Sequence, residues 1–143
     1  MNRMIFVNLP VADLQTSIAF YEAVGATADP HFKGDGAQMM RFSDDICVML
    51  ASHARFDGFL EGTRARIDPK QGAQAIFCLS ADSREEVDAV AAAAAGTGAD
   101  VDITPADDYG YMYGRNFVDP DGHVWQMSWM DVEAAMAADK ESA

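Results

Sequence analysis

Two stretches of the chain carry residue types that can do chemistry. The first is Asp107-Asp108-Tyr109-Gly110-Tyr111-Met112-Tyr113-Gly114-Arg115. In an extended strand Tyr113, Arg115 and Phe117 share one face and Met112 and Asn116 the other. An arginine there can grip a carboxylate with two parallel hydrogen bonds, and tyrosines can stack on an aromatic ligand. The same residues have a structural use: Arg115 paired with Asp107, Asp108 or Asp119, and the tyrosines closing a dimer contact. The second stretch is Gly114 to Asp131, GRNFVDPDGHVWQMSWMD. Asp119-Pro120-Asp121-Gly122 is a turn, with Pro120 preset for its first central position and Gly122 free to take a positive φ. After it Trp125, Met127 and Trp129 alternate with Val124, Gln126 and Ser128. Two tryptophans belong in a core, so the Gln126 amide looks the other way, toward a ligand.

Elsewhere the reactive residue types stand apart. His31, His53 and His123 are isolated, and His123, just after the turn, reads as structural or solvent-exposed. Cys47 and Cys78 lie in apolar, strand-like runs without CxxC or Cys/His spacing, which reads as two buried free thiols. No Ser-His-Asp set, phosphate-cradling glycine loop or paired-carboxylate spacing is present, and neither cysteine has a base beside it in the sequence. Charge narrows the partners. With 23 acidic against 10 basic residues the formal net charge is −13, which repels phosphate backbones and anionic lipid. Nucleic acid and membrane are therefore excluded as partners. No apolar run approaches a membrane span and no signal peptide is visible, so a cytoplasmic protein is expected.

Half of the 143 residues are hydrophobic, enough for a single domain with a real core. The order of elements repeats. Met4 to Pro10 alternates like a strand, and Asp13 caps a helix whose Leu14, Ile18 and Tyr21 recur at helical spacing until Gly25. Strands follow at Thr27 to Phe32, Ala37 to Phe42 and Ile46 to Ala51. Gln74 to Ala81 then begins the series again, and Ser80-Ala81-Asp82 echoes Val11-Ala12-Asp13. Ser83 with Glu86 forms a capping box for a helix burying Val87, Val90, Ala91 and Ala94, which ends near Gly96 or Gly98. Val101 to Thr104, Tyr111 to Asp119 and His123 to Trp129 complete the second set. The predicted organisation is one domain over 1–143. It comprises a βαβββ module over 1–52, a linker or lid over 53–72, a second βαβββ module over 73–130 and a tail over 131–143. Such short repeats pair to share a core. Four of the ten bases, Arg55, Arg64, Arg66 and Lys70, fall in the linker, and Phe56, Phe59 and Leu60 give it an apolar side.

Alternation also sorts the strand residues by face. Ile5, Val7, Leu9, Ile46, Val48, Leu50, Phe77, Leu79, Trp125, Met127 and Trp129 are bulky and suit the face beneath the helices. Phe6, Asn8, Cys47, Met49, Ala51, Ile76, Cys78, Ser80, Gln126 and Ser128 make a softer, partly polar face. A curved sheet with helices on its outer side would use such residues to line a cup, where small molecules bind.

The runs LPVADLQTSIAFYEAVG and NFVDPDGHVWQM, in this order and spacing, resemble the vicinal oxygen chelate superfamily of glyoxalase, bleomycin resistance and extradiol dioxygenase-like proteins. The resemblance implies an α+β fold of paired βαβββ modules forming an eight-stranded curved sheet with a cup, usually within a homodimer. Family enzymes hold a divalent metal in the cup with one residue from each of four strands. Carried over, those positions fall on Phe6, Met49, Ile76 and Gln126. Phenylalanine and isoleucine cannot bind a cation, a thioether suits hard metals poorly, and one neutral amide is too little. The resemblance thus implies a cup that binds a small organic ligand with no metal and no other cofactor. Its ligand-contacting residues are Phe6, Asn8, Met49, Ile76, Cys78, Tyr113, Arg115 and Gln126. The alternatives are a glyoxalase-like lyase or extradiol-dioxygenase-type enzyme, and a structural dimer module.

Overall fold

The computed structural model describes residues 2–142, with side chains through Lys140. Met1 and Ala143, the ends of the expected first module and tail, lie outside the described residues. The chain divides into two compact units, Met1–Gly72 and Ala73–Ala143, each an α+β module built on one four-stranded sheet. The eight strands expected from the sequence are thus divided between two sheets.

In the first unit, β1 (Ile5–Val11) leads into α1 (Leu14–Ala23) and then β2 (Thr27–Gly34), β3 (Ala37–Arg41) and β4 (Ile46–Ser52). The sheet order is β1-β4-β3-β2, with β1 parallel to β4 and the other pairs antiparallel. The Asp13 carboxylate accepts from Thr16 N and starts α1. The helix stops where Gly25 takes φ +111°, so that Ala26 N reaches back to Tyr21 O and Gly25 N to Glu22 O. Gly34 pairs with Ala37 across Asp35-Gly36, and both central residues have positive φ, as a tight two-residue hairpin requires. α1 lays Phe20 and Tyr21 on Val48, Leu50 and Met40, all of them buried, and the Tyr21 ring meets Phe42 edge-on.

Residues 53–72 are more than a linker. Ser52 accepts from Arg55 N and caps α2 (His53–Leu60), which ends at Glu61 in the left-handed region. Past it, Arg66 grips the Asp57 carboxylate with two hydrogen bonds. No residue of α2 is buried.

The second unit runs β5 (Ile76–Ser80), α3 (Arg84–Gly96), β6 (Asp107–Asp108), β7 (Met112–Val118), β8 (Val124–Met130) and α4 (Val132–Ser142), in sheet order β5-β8-β7-β6. Ser83 Oγ accepts from Glu86 N, and the Glu86 carboxylate returns to Asp82 N, one residue before the Ser83 amide of a standard capping box. The helix ends at Gly96, and Gly98 just beyond it takes φ +93°. Val87, Ala91 and Ala94 bury against a sheet face holding Phe117, Trp125 and Met127. Asp119 shapes the DPDG turn: its Oδ1 accepts from the amides of Asp121, Gly122 and His123.

The expected strand Val101 to Thr104 does not form. Val101 makes a single bridge to Phe117, and Asp102 then adopts φ +55°, which takes the chain off the ladder. The Asn116 side chain replaces the lost pairing, accepting from Ile103 N and donating to Thr104 Oγ1. The fourth strand starts later, as the two residues of β6. Among the described residues no helix is long and apolar enough to cross a membrane.

Candidate functional site

Each sheet packs its helix on one face; the other, outward face is open at Phe6 and Asn8 but covered at Met39 and Cys47 in the first unit. In the first unit β1 pairs Phe6 with Cys47 and Asn8 with Met49, and β3 pairs Met39 with Met49 and Arg41 with Cys47. Paired residues share a side, so Phe6, Asn8, Met39, Arg41, Cys47 and Met49 lie on the face opposite α1. In the second unit Cys78 pairs with Gln126, and Gln126 in turn with Asn116. Ile76, Cys78, Gly114, Asn116, Gln126 and Ser128 therefore lie on the face opposite α3. Phe6 is 49% exposed and Ile76 64% exposed, a large apolar offering for two strand residues.

Six of the eight expected ligand residues, Phe6, Asn8 and Met49 in one unit and Ile76, Cys78 and Gln126 in the other, thus occupy outward sheet faces. Tyr113 and Arg115 require a correction. The register sets Tyr113 opposite Trp129 and Arg115 opposite Met127, so both lie on the α3 side, away from Gln126. There the Tyr113 hydroxyl donates to Asp88 Oδ1 at 2.6 Å. The Arg115 guanidinium bonds Asp102 through Nε and Nη2 and Asp88 through Nη1. The hydrogen bond to Asp88, with some burial, pushes the Tyr113 phenol up, and the bonds to Asp102 and Asp88 push Arg115 up. Arg84 joins them, 4.3 Å from the centre of the Tyr113 ring and doubly bonded to Asp108. These groups tie α3 to the sheet edge. The partners are Asp88 and Asp102 rather than the acids nearest Arg115 in sequence, because strand pairing and the turn at Asp102 bring distant residues together.

Cys78 is also corrected. Cys47 is fully buried, with Arg41 Nη1 at 3.1 Å from its Sγ, but Cys78 is exposed. Although exposed by surface area, its sulfur has enough protein around it for desolvation to push the thiol up. A thiol with a raised pKa is a weak nucleophile at neutral pH.

Two charged groups on these faces are not among the expected ligand residues. Arg41 bonds Asp29 Oδ2 at 2.7 Å, and Asp29 also accepts from the amides of His31 and Phe32 at the bulge in β2. Alternation from Met39 to Arg41 was the available signal for Arg41; nothing local announces Asp29. The other group is Asp107, whose Oδ2 accepts from Gln126 Nε2 at 3.2 Å.

These ion pairs predict acid lability. The Arg41 hydrogen bond and the His31 and Phe32 amides hold Asp29 down at about 2, and Arg84 with the Gly110 amide does the same for Asp108. Both carboxyls titrate lower in the folded chain than in the unfolded one, so the folded state binds fewer protons. Their stabilisation is present above the ordinary carboxylate value and is lost as pH falls from roughly 4 to 2. The urea midpoint should fall across that window, and less steeply in the double variant Asp29→Asn, Asp108→Asn. Equal slopes would remove the assignment.

The four positions where related enzymes place metal ligands do not fit a divalent cation. Phe6 and Ile76 offer no donor, Met49 a thioether and Gln126 one neutral carbonyl. Among the described residues no three His, Cys, Asp or Glu side chains are grouped to hold a metal ion.

A family model described as the Glyoxalase/Bleomycin resistance protein/Dioxygenase superfamily matches residues 3–127. Among solved structures, a glyoxalase/bleomycin resistance protein/dioxygenase family enzyme from Burkholderia phytofirmans PsJN is similar over 90% of this chain and 99% of its own, at 18% identity and a TM-score of 0.76. The antibiotic-binding protein TnmS3 from Streptomyces sp. CB03234 is similar over 92% and 98%, at 20% identity and a TM-score of 0.63. The fosfomycin resistance protein FosX from Mesorhizobium loti is similar over 95% and 96%, at 15% identity and a TM-score of 0.64. At such identities the likeness is one of fold. No curated protein sequence matches the chain. The repeated βαβββ order, the DPDG hairpin and the family match over residues 3–127 agree: this chain belongs to the glyoxalase/bleomycin resistance protein/dioxygenase superfamily.

Proposed function

We propose that this protein binds a small organic molecule on its outward sheet faces, by apolar contact and without a metal. The observation that carries the reading is the residue set Phe6, Met49, Ile76 and Gln126, with Phe6 and Ile76 largely exposed. Burying an apolar side chain of this size against a ligand contributes about 1.5–3 kcal/mol. Dehydrating a divalent cation beside phenylalanine and isoleucine costs more than one amide returns. That TnmS3 is an antibiotic-binding protein and FosX a fosfomycin resistance protein supports a small-molecule ligand for this fold. The chain works as a homodimer in this reading, since Ile5 and Phe32 are exposed and β1 and β5 are sheet edges.

Native mass spectrometry of freshly purified protein tests all three parts. The expected spectrum is a dimer carrying an organic mass and no stoichiometric metal. Near-stoichiometric zinc, iron, manganese or nickel that survives dialysis and is lost in Gln126→Ala would overturn the metal-free reading and put the enzyme alternative first. A monomer at tens of micromolar, a concentration at which a dimer of about micromolar Kd is mostly assembled, would remove the dimer.

A further inference from the structure

The outward face of the second sheet is apolar or neutral except at one point. Asp107 projects there from the edge strand β6, and the Gln126 amide reaches it from β8 across the intervening strand β7. It crosses at Gly114, where an added Cβ would stand 2.7 Å from Gln126 Nε2. The φ of Gly114 is not in the left-handed region, so glycine is needed for the passage and not for the backbone. Asn116, the nearest other amide on this face, is committed to Ile103 and Thr104.

The Asp107–Gln126 pair is left with capacity to spare. Asp108, one residue on and on the opposite face, has Arg84 as its counter-ion. Asp107 takes part in no ion pair among the described residues, and its carboxylate accepts one hydrogen bond of about four that such a group can accept. With its Nε2 turned to Asp107, Gln126 presents its Oε1 as a second acceptor, to which no described residue donates. Two acceptors, one of them charged, thus stand on the face that also holds Met112 and Met130, on a chain of net charge −13. An anion is repelled there and a neutral apolar molecule leaves the acceptors unanswered.

We infer that Asp107 is a specificity determinant, selecting an organic cation: a protonated amine on an apolar body. Asp107 meets the ammonium, Gln126 Oε1 accepts a second N–H, and Gly114 is the positioning residue that lets the amide reach. The inference rests on the binding function proposed above and specifies the chemical class of its ligand.

Isothermal titration at pH 7 with naphthalene-1-methylamine, naphthalene-1-methanol and naphthalene-1-carboxylate, three probes sharing one apolar body, tests it. The amine is expected to bind about fivefold or more tighter than the alcohol, the order of one partly exposed ion pair, with the carboxylate weakest. Asp107→Asn, an isosteric change at an exposed residue, should bring the amine to the alcohol's affinity. Gly114→Ala should narrow the amine-to-alcohol ratio, and Glu133→Gln, which removes an equal charge on α4, should leave it intact. Equal binding of amine and alcohol, or a preference that survives Asp107→Asn, overturns this inference alone. No binding of any probe overturns the proposed function and the inference with it.

Discussion

Ile76→Asp is expected to weaken binding of naphthalene-1-methanol by about tenfold or more while leaving stability within about 0.5 kcal/mol. The two halves of this result have separate causes. Ile76 is 64% exposed at the start of an edge strand, and substitutions at such positions move folding stability little. In a bound complex the same side chain would lie against the ligand, where its loss removes about 1.5–3 kcal/mol, or roughly ten- to a hundredfold in Kd. A carboxylate in its place must also be desolvated by an apolar partner. Titration calorimetry reads the first half and urea unfolding the second. Unchanged binding would remove β5 from the ligand site; a large loss of stability would show Ile76 to be a packing residue.

Trp125→Ala should have the opposite signature, a loss of stability of about 3–5 kcal/mol. Trp125 is 2% exposed, lies on the α3 side of β8, and stacks at a tilt on Phe77, with ring centroids 5.0 Å apart. Truncation leaves a cavity under α3 bounded by strands that hydrogen bonds hold apart, so it cannot fully collapse. Urea unfolding followed by circular dichroism measures this without depending on the deleted indole. A loss below about 1 kcal/mol would mean that α3 rests on other residues. Trp129→Ala, at a partly exposed position beside Arg84, should cost less.

The contrast between Ile76 and Trp125 was legible in the sequence because a strand has a period of two, and two tryptophans in alternation identify which side is covered. For the same reason the placement of Phe6, Asn8, Met49 and Gln126 opposite the helices followed from local pattern. Helix starts at Asp13 and Ser83 and the DPDG turn were equally readable, since each is closed by hydrogen bonds within four residues. Tyr113 and Arg115 were not. Their strand was recognised, but which of its faces meets α3 depends on register with β8, an interaction between segments joined only through a turn.

What the sequence by itself determined is the repeated βαβββ order, the helix caps, the two-sidedness of each strand and the absence of metal-binding side chains at Phe6, Met49 and Ile76. Each is a property of one residue or of its near neighbours. Tertiary structure alone decided that Asp102 leaves the ladder and joins Asp88 in holding Arg115, that Asp29 pairs with Arg41 across a bulge, that Cys78 is exposed, and that Asp107 meets Gln126 over Gly114. These are meetings of residues far apart in the chain, and a charged or amide side chain takes whichever partner the ladder brings within reach. Propensity carries no record of that partner, because the distance between the two groups exists only once the strands have paired.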